Sequence, residues 1–114
     1  MTEIFKVLNQ YKENIPYNVP YVILINEKIV HASSPIKKLF KQDPTGMDMG
    51  TFMTADDKKI LSERGHLSEG ENQQFWKIGN QIIQTQVDIK NKAFDTQIIS
   101  LVLLKAAQLQ ASAA

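Results

Sequence analysis

The stretch Gln73–Leu104, QQFWKIGNQIIQTQVDIKNKAFDTQIISLVLL, is where hydrophobic residues recur at every second position. A strand turns successive side chains to opposite faces, so this period predicts strands rather than helices. Gln74–Ile78 reads as one strand, broken by Gly79-Asn80. Ile82–Ile89 reads as the next, and Gln97–Leu104 as a third beyond a polar connector. In the middle strand Ile83, Thr85, Val87 and Ile89 share a face, whereas Gln84, Gln86 and Asp88 share the other. Part of the sheet therefore has a wet side. The last strand is apolar on both faces, Ile99, Leu101 and Leu103 alternating with Ile98, Val102 and Leu104, which predicts a central position. The neighbours Phe75 and Trp76 are expected on an edge strand, one ring packed and the other near the surface.

Upstream, Tyr21–Ile25 is a short, continuous apolar run rich in β-branched residues, as expected of a strand covered on both faces. Asn26-Glu27 turns the chain and Lys28–His31 returns it. Ser34 followed by Pro35 predicts a helix start, because proline lacks only an amide hydrogen that would have no partner there. Ile36, Leu39 and Phe40 then line one side. Gln42–Gly50 holds two glycines and Asp43-Pro44, and reads as loop or irregular helix. Thr54 opens a further helix with Asp56 and Asp57 in its first turn, Ile60 and Leu61 as its buried pair, Arg64 in its last turn and Gly65 as its stop. Adjacent side chains on a helix do not face each other, so the two aspartates read as first-turn acids and not as a metal pair.

At the front, Glu3–Asn14 reads as an amphipathic helix ended by Pro16, with Ile4, Phe5, Leu8 and Tyr11 on its apolar side. That side must cover either its own sheet or the same helix of a second subunit. Residues 105–114 have high helix propensity and few apolar anchors, and are expected to be a tail or the start of a linker. The chain thus divides into a cap helix over 1–16, one domain over 17–105 and a tail over 106–114.

The 114 residues suit a single core, and 43% apolar with 22% charged residues is the composition of a folded domain. Thirteen basic against twelve acidic side chains, with no long run of either sign, give no footprint for phosphate backbones or anionic lipid. Neither nucleic acid nor a membrane is expected as a partner. With no cysteine there is no disulfide, thiolate metal site or thiol nucleophile, and a cytoplasmic location is expected.

The order strand, strand, helical middle, three strands is that of the PAS fold, which the chain resembles at three places. Tyr21–Phe40, YVILINEKIVHASSPIKKLF, is similar to the opening hairpin and first helix. Thr45–Leu61, TGMDMGTFMTADDKKIL, resembles the segment in which a glycine precedes a short apolar helix and an acidic cap opens the long one. Gln73–Leu104 is similar to the closing meander. The resemblance implies an α+β fold, a five-stranded antiparallel sheet in the order 2-1-5-4-3 with helices on one face and a hollow between. It also implies a sensory or interaction module that regulates a signalling output domain or partner, with the leading helix as a dimerising cap. By apolar alternation and that analogy, Leu24, Phe40, Phe52, Ile60, Thr85 and Leu101 are expected to line the hollow and a small-molecule ligand to occupy it.

The chemistry of the hollow is constrained by what the sequence holds. A cysteinyl-flavin adduct or a thioester-linked chromophore needs a thiol, so both are excluded. The resemblance implies an axial imidazole from the long helix for haem, and haem is disfavoured because the two histidines, His31 at a strand end and His66 past the stop glycine, lie outside that helix and are expected to be solvated. Met47, Met49 and Met53 are expected to fill core space, with an adaptable pocket wall as the alternative. No acid is placed to orient His31 toward Ser33 or Ser34, so no nucleophilic apparatus and no enzyme is expected. A ligand-free dimerisation or scaffold domain is the alternative, and a small α/β enzyme would require an ionisable pocket. If the leading helix holds a homodimer, Ile4→Asp with Leu8→Asp should give a soluble monomer by light scattering, since charge on a buried apolar stripe is costly.

Overall fold

The computed structural model describes residues 6, 9–10, 13–16, 18–64, 67–94 and 97–110. Five strands, β1 (Tyr21–Ile25), β2 (Lys28–Ala32), β3 (Gly70–Ile78), β4 (Gln81–Phe94) and β5 (Gln97–Gln110), form one antiparallel sheet in the order β2-β1-β5-β4-β3. Between β2 and β3 run α1 (Ser34–Phe40), a 3₁₀ turn (Met49–Phe52) and α2 (Ala55–Arg64). This is the expected α+β topology. No helix among the described residues is long and apolar enough to cross a membrane.

β5 lies between β1 and β4, so both of its faces must be covered. Val102 and Leu104 point to the helical side, where they join Val22, Leu24, Ile36, Phe40, Phe52 and Leu61 in the main core. Ile99 and Leu101 point to the other side and pack with Tyr21 and Ile23 in a second cluster, which Ile15, Ile25, Val30 and Leu103 surround. Burying a side chain of this size contributes about 1.5–3 kcal/mol, so each cluster is a substantial part of the fold's stability.

Two tight hairpins set the register. Gly79-Asn80 joins Ile78 to its partner Gln81, with positive φ at Gly79 alone (61°), the II′ arrangement that matches strand twist. Asn26 and Glu27 both have positive φ (49° and 74°), the I′ arrangement. Asn26 adds a second function: its Oδ1 accepts from Ile98 N at 3.0 Å, while its own N donates to Ile98 O at 3.1 Å. These contacts continue the β1–β5 ladder past Ile25.

Three local expectations are corrected. The residue before the first helical position is Ser33, not Ser34, and its hydroxyl makes no cap; it accepts from Tyr21 N at 2.9 Å, extending the β1–β2 contact by one step. His31 is not a solvated loop residue. It stands in β2 beside a bulge at Val30 and is hydrogen-bonded through Nε2 to the Tyr21 hydroxyl at 3.1 Å, on the outer face. Residues 105–110, expected as tail, extend β5 to Gln110 in register with Ile82–Gln86 of β4. A bulge at Lys105 resets the alternation there, and β4 offers backbone partners that outweigh the helix propensity of alanine and glutamine. At the front, Lys6, Asn9, Gln10, Glu13 and Asn14 are helical and exposed, whereas Ile4, Phe5, Leu8 and Tyr11, like Gly65 and His66, lie outside the described residues.

Glu27 carries a Cβ at a φ that L-residues adopt at a cost. Glu27→Gly should raise stability by about 0.5–1 kcal/mol, read as a higher urea midpoint at unchanged m-value.

Candidate functional site

The space between helices and sheet is largely filled by rings. Phe40 and Phe52 lie with centroids 4.7 Å apart, and Phe40 meets the edge of Trp76 at 5.7 Å. Trp76 is fully buried at the edge of the sheet and Phe75 half-buried, as the alternation predicts. The indole Nε1 donates to Gln74 Oε1 at 3.0 Å, and Thr85 Oγ1 donates to the Gln74 carbonyl at 3.0 Å. Gln74, Trp76 and Thr85 thus form a closed polar set inside an apolar layer, and no buried side-chain polar atom among the described residues lacks a partner.

Between α2 and β3 lies an open cleft of about 170 Å³. Met53, Ile60, Leu61 and Leu67 give it apolar walls, and Asn72, Gln73 and Gln74 a row of amides along one side. Successive residues of a strand would point to opposite faces, so Gln73 reaches the cleft from the strand's outer parity and Asn72 and Gln74 from the inner. Asp57 closes one end. Its Oδ2 accepts from Phe75 N at 3.0 Å, which occupies an edge amide of β3 and ties α2 to the sheet. Thr54 caps the helix more loosely, Oγ1 accepting from Asp57 N at 3.4 Å.

α2 is lightly held. Leu61 is its one buried residue, and Ile60, expected beside it in the core, is 46% exposed at the lip of the cleft. Neighbours on a helix diverge by about 100°. A helix touching the sheet along one narrow line can therefore bury only one of the two. Behind Leu61, the returning chain is fastened by Asn91, whose Nδ2 donates to Leu67 O at 2.9 Å and whose Oδ1 accepts from Ser100 Oγ at 2.7 Å. Among the described residues no cluster of three or more histidines or acids is placed to hold a metal ion.

The six expected lining residues do not converge. Leu24, Phe40, Phe52 and Thr85 are buried on the helical side, as packing, away from the open cleft. Ile60 lies at the cleft's rim. Leu101 is on the opposite face of the sheet, in the cluster with Ile23 and Ile99. A strand apolar at every position gives no sign of which parity faces the helices, and this is why Leu101 was misplaced. The methionines divide: Met49 is fully buried filling, and Met53, also buried, reaches the cleft wall. Missed by the sequence reading were Asp57 as an acceptor for the sheet edge and Asn72 and Gln74 as cleft amides. The parity of Asn72 and Gln74 with Trp76 was the available signal for the latter.

Charged groups lie at the periphery. Asp43 accepts from both Thr45 N and Thr45 Oγ1 (3.1 and 2.6 Å), and these bonds hold its carboxyl below the usual range. On the outer face Glu71 and Lys105 form an exposed ion pair, which lowers the Glu71 pKa and raises that of Lys105. Burial raises the Tyr21 phenol. No family model matches the chain, and no curated protein matches it.

Asp57→Ala should cost about 1 kcal/mol, because an amide–carboxylate bond at a half-buried site is lost. Hydrogen exchange should show the Phe75 amide losing protection in that variant and largely keeping it in Asp57→Asn, which retains an acceptor; equal exchange in all three would refute the tether.

Proposed function

We propose that this chain is a PAS-type sensory or interaction module, acting on a signalling output domain or partner protein through movement of α2 against β3. The observation that carries this reading is the contrast within one small domain. The layer of Phe40, Phe52 and Trp76 on the helical face of the sheet is buried, while α2 rests on Leu61 and the Asp57–Phe75 bond over an open cleft. Loosely held elements are the ones that change position at low free-energy cost. A ligand in the cleft, or a partner on the exposed side of α2, would shift that helix by as much as its affinity differs between the two positions.

The order β2-β1-β5-β4-β3 with helices on one face supports the family reading, and a cytoplasmic location goes with it. The module is proposed to carry no reaction of its own. Its cleft combines apolar walls with amides and the Asp57 carboxylate, which suits a small, partly apolar ligand that hydrogen-bonds through a hydroxyl or amide.

A specific observation favours a second reading, a ligand-free dimerisation or scaffold domain. The cleft, at about 170 Å³, is smaller than the roughly 300–1,000 Å³ typical of ligand pockets.

Native mass spectrometry of gently purified protein separates the two. On the sensory reading, wild-type protein carries a small-molecule adduct, and Ile60→Trp, which fills the cleft from its rim, removes the adduct while leaving the circular dichroism spectrum unchanged. Protein free of adduct, with α2 hydrogen exchange identical in wild type and Ile60→Trp, would favour the scaffold.

A further inference from the structure

Both outer edges of the sheet are met in part by other segments. Along β2, the segment 46–49 adds contacts of its own: Ile29 N donates to Met47 O at 2.9 Å, Gly46 N to Ile29 O at 2.7 Å and Met49 N to Glu27 O at 2.8 Å. Along β3, Met53 bridges to Trp76 and Asp57 takes the Phe75 amide. Inside the sheet, however, β5 outruns β1. Their last pair is Tyr21 with Leu103, followed by Leu104 N donating to Pro20 O at 2.9 Å. Just before Pro20, Val19 N donates to Pro16 O at 3.0 Å. From Lys105 to Gln110, β5 is paired with β4 on one side, and no strand among the described residues lies on the other. Ala106, Ala107 and Gln108 are exposed.

An unpaired row of backbone donors and acceptors is a template for another strand, and proteins usually protect such a row with charge, proline or cover. Here the protection stops at Lys105, whose ammonium is taken by Glu71 over the outer face. From Ala106 to Ala114 the sequence AAQLQASAA has no charge, no proline and no glycine.

We propose that Lys105–Gln110 is a strand-addition edge, and that its occupant is the same segment of a second copy of this chain, antiparallel about a twofold axis at Gln108. The segment is complementary to itself. No like charges meet, and an axis at Gln108 sets Ala106 opposite Gln110 and Ala107 opposite Leu109 in the backbone register. The two Gln108 amides at the axis can each donate and accept. The result is one continuous sheet through both copies, closed by the symmetry after a single addition. The proposal stands on this open edge and not on the sensory reading.

The chain has no cysteine, so Gln108→Cys introduces its only thiol. Directly opposed residues of an antiparallel pair have Cα atoms about 4.5–5.5 Å apart, within the roughly 4.4–6.8 Å that a disulfide spans. Under mild oxidation Gln108→Cys is expected to give about tenfold more covalent dimer than Glu63→Cys on exposed α2, because only the former thiols are held together. In light scattering, Gln108→Lys and Gln108→Glu should each be monomeric at concentrations where the wild type is dimeric, and an equal mixture should recover the dimer. A wild type that stays monomeric, equal cross-linking at the two cysteine positions, or a dimer untouched by either charge and lost in Ile4→Asp with Leu8→Asp would overturn it.

Discussion

The strand β5 is apolar on both faces, and the rest of the structure follows from that constraint. A strand of this kind is stable only in the interior of a sheet whose two sides are both covered. β1 and β4 flank it, α1, the 3₁₀ turn and α2 cover Val102 and Leu104, and on the other face Ile15 packs against the cluster that Ile99 and Leu101 form with Tyr21 and Ile23. The position of β1 next to the last strand, despite the long separation in sequence, is the same constraint seen from the other end, since Tyr21–Ile25 is equally buried and needs an apolar neighbour.

Once the sheet order is set, its edges become the controlling feature. Backbone groups at an edge have to be satisfied by something, and the connection between β2 and β3 does so at both ends, through Met47 and Met49 on β2 and through Met53 and Asp57 on β3. Asp57 illustrates how one residue can serve several levels. It favours the positive end of α2, fills a sheet-edge amide and closes one end of the cleft, so helix position and strand edge are energetically linked. That linkage lets a change at α2 reach the sheet through a hydrogen bond, without repacking the aromatic layer beneath.

The aromatic layer and α2 differ in kind. Phe40, Phe52 and Trp76 interlock and use the Gln74 side chain to satisfy the one polar atom they bury, whereas α2 presents lysines, acids and Ile60 to solvent around one buried side chain, Leu61. A packed layer resists deformation because any displacement opens voids. α2, held by Leu61 and the Asp57–Phe75 bond, has far fewer packed contacts to lose.

Composition and periodicity alone determined the strand set, the wet and dry faces of β4, the central place of β5 and the helical middle, because side-chain alternation and turn chemistry are local and survive in the sequence. Leu24, Phe40, Phe52 and Thr85, expected from alternation and the resemblance to line a hollow, are packed within the buried layer. Only the tertiary structure decided which face of β5 Leu101 occupies, since alternation is silent when both parities are apolar. It alone moved Ile60 to the cleft's rim, because how narrowly α2 touches the sheet is set by its neighbours and not by its own pattern. It alone turned residues 105–110 into strand, where pairing with Ile82–Gln86 overrides local helix propensity. The roles of Asp57 and His31 were hidden for the same reason: a hydrogen bond between residues 18 or 10 positions apart leaves no trace in the residues around either one.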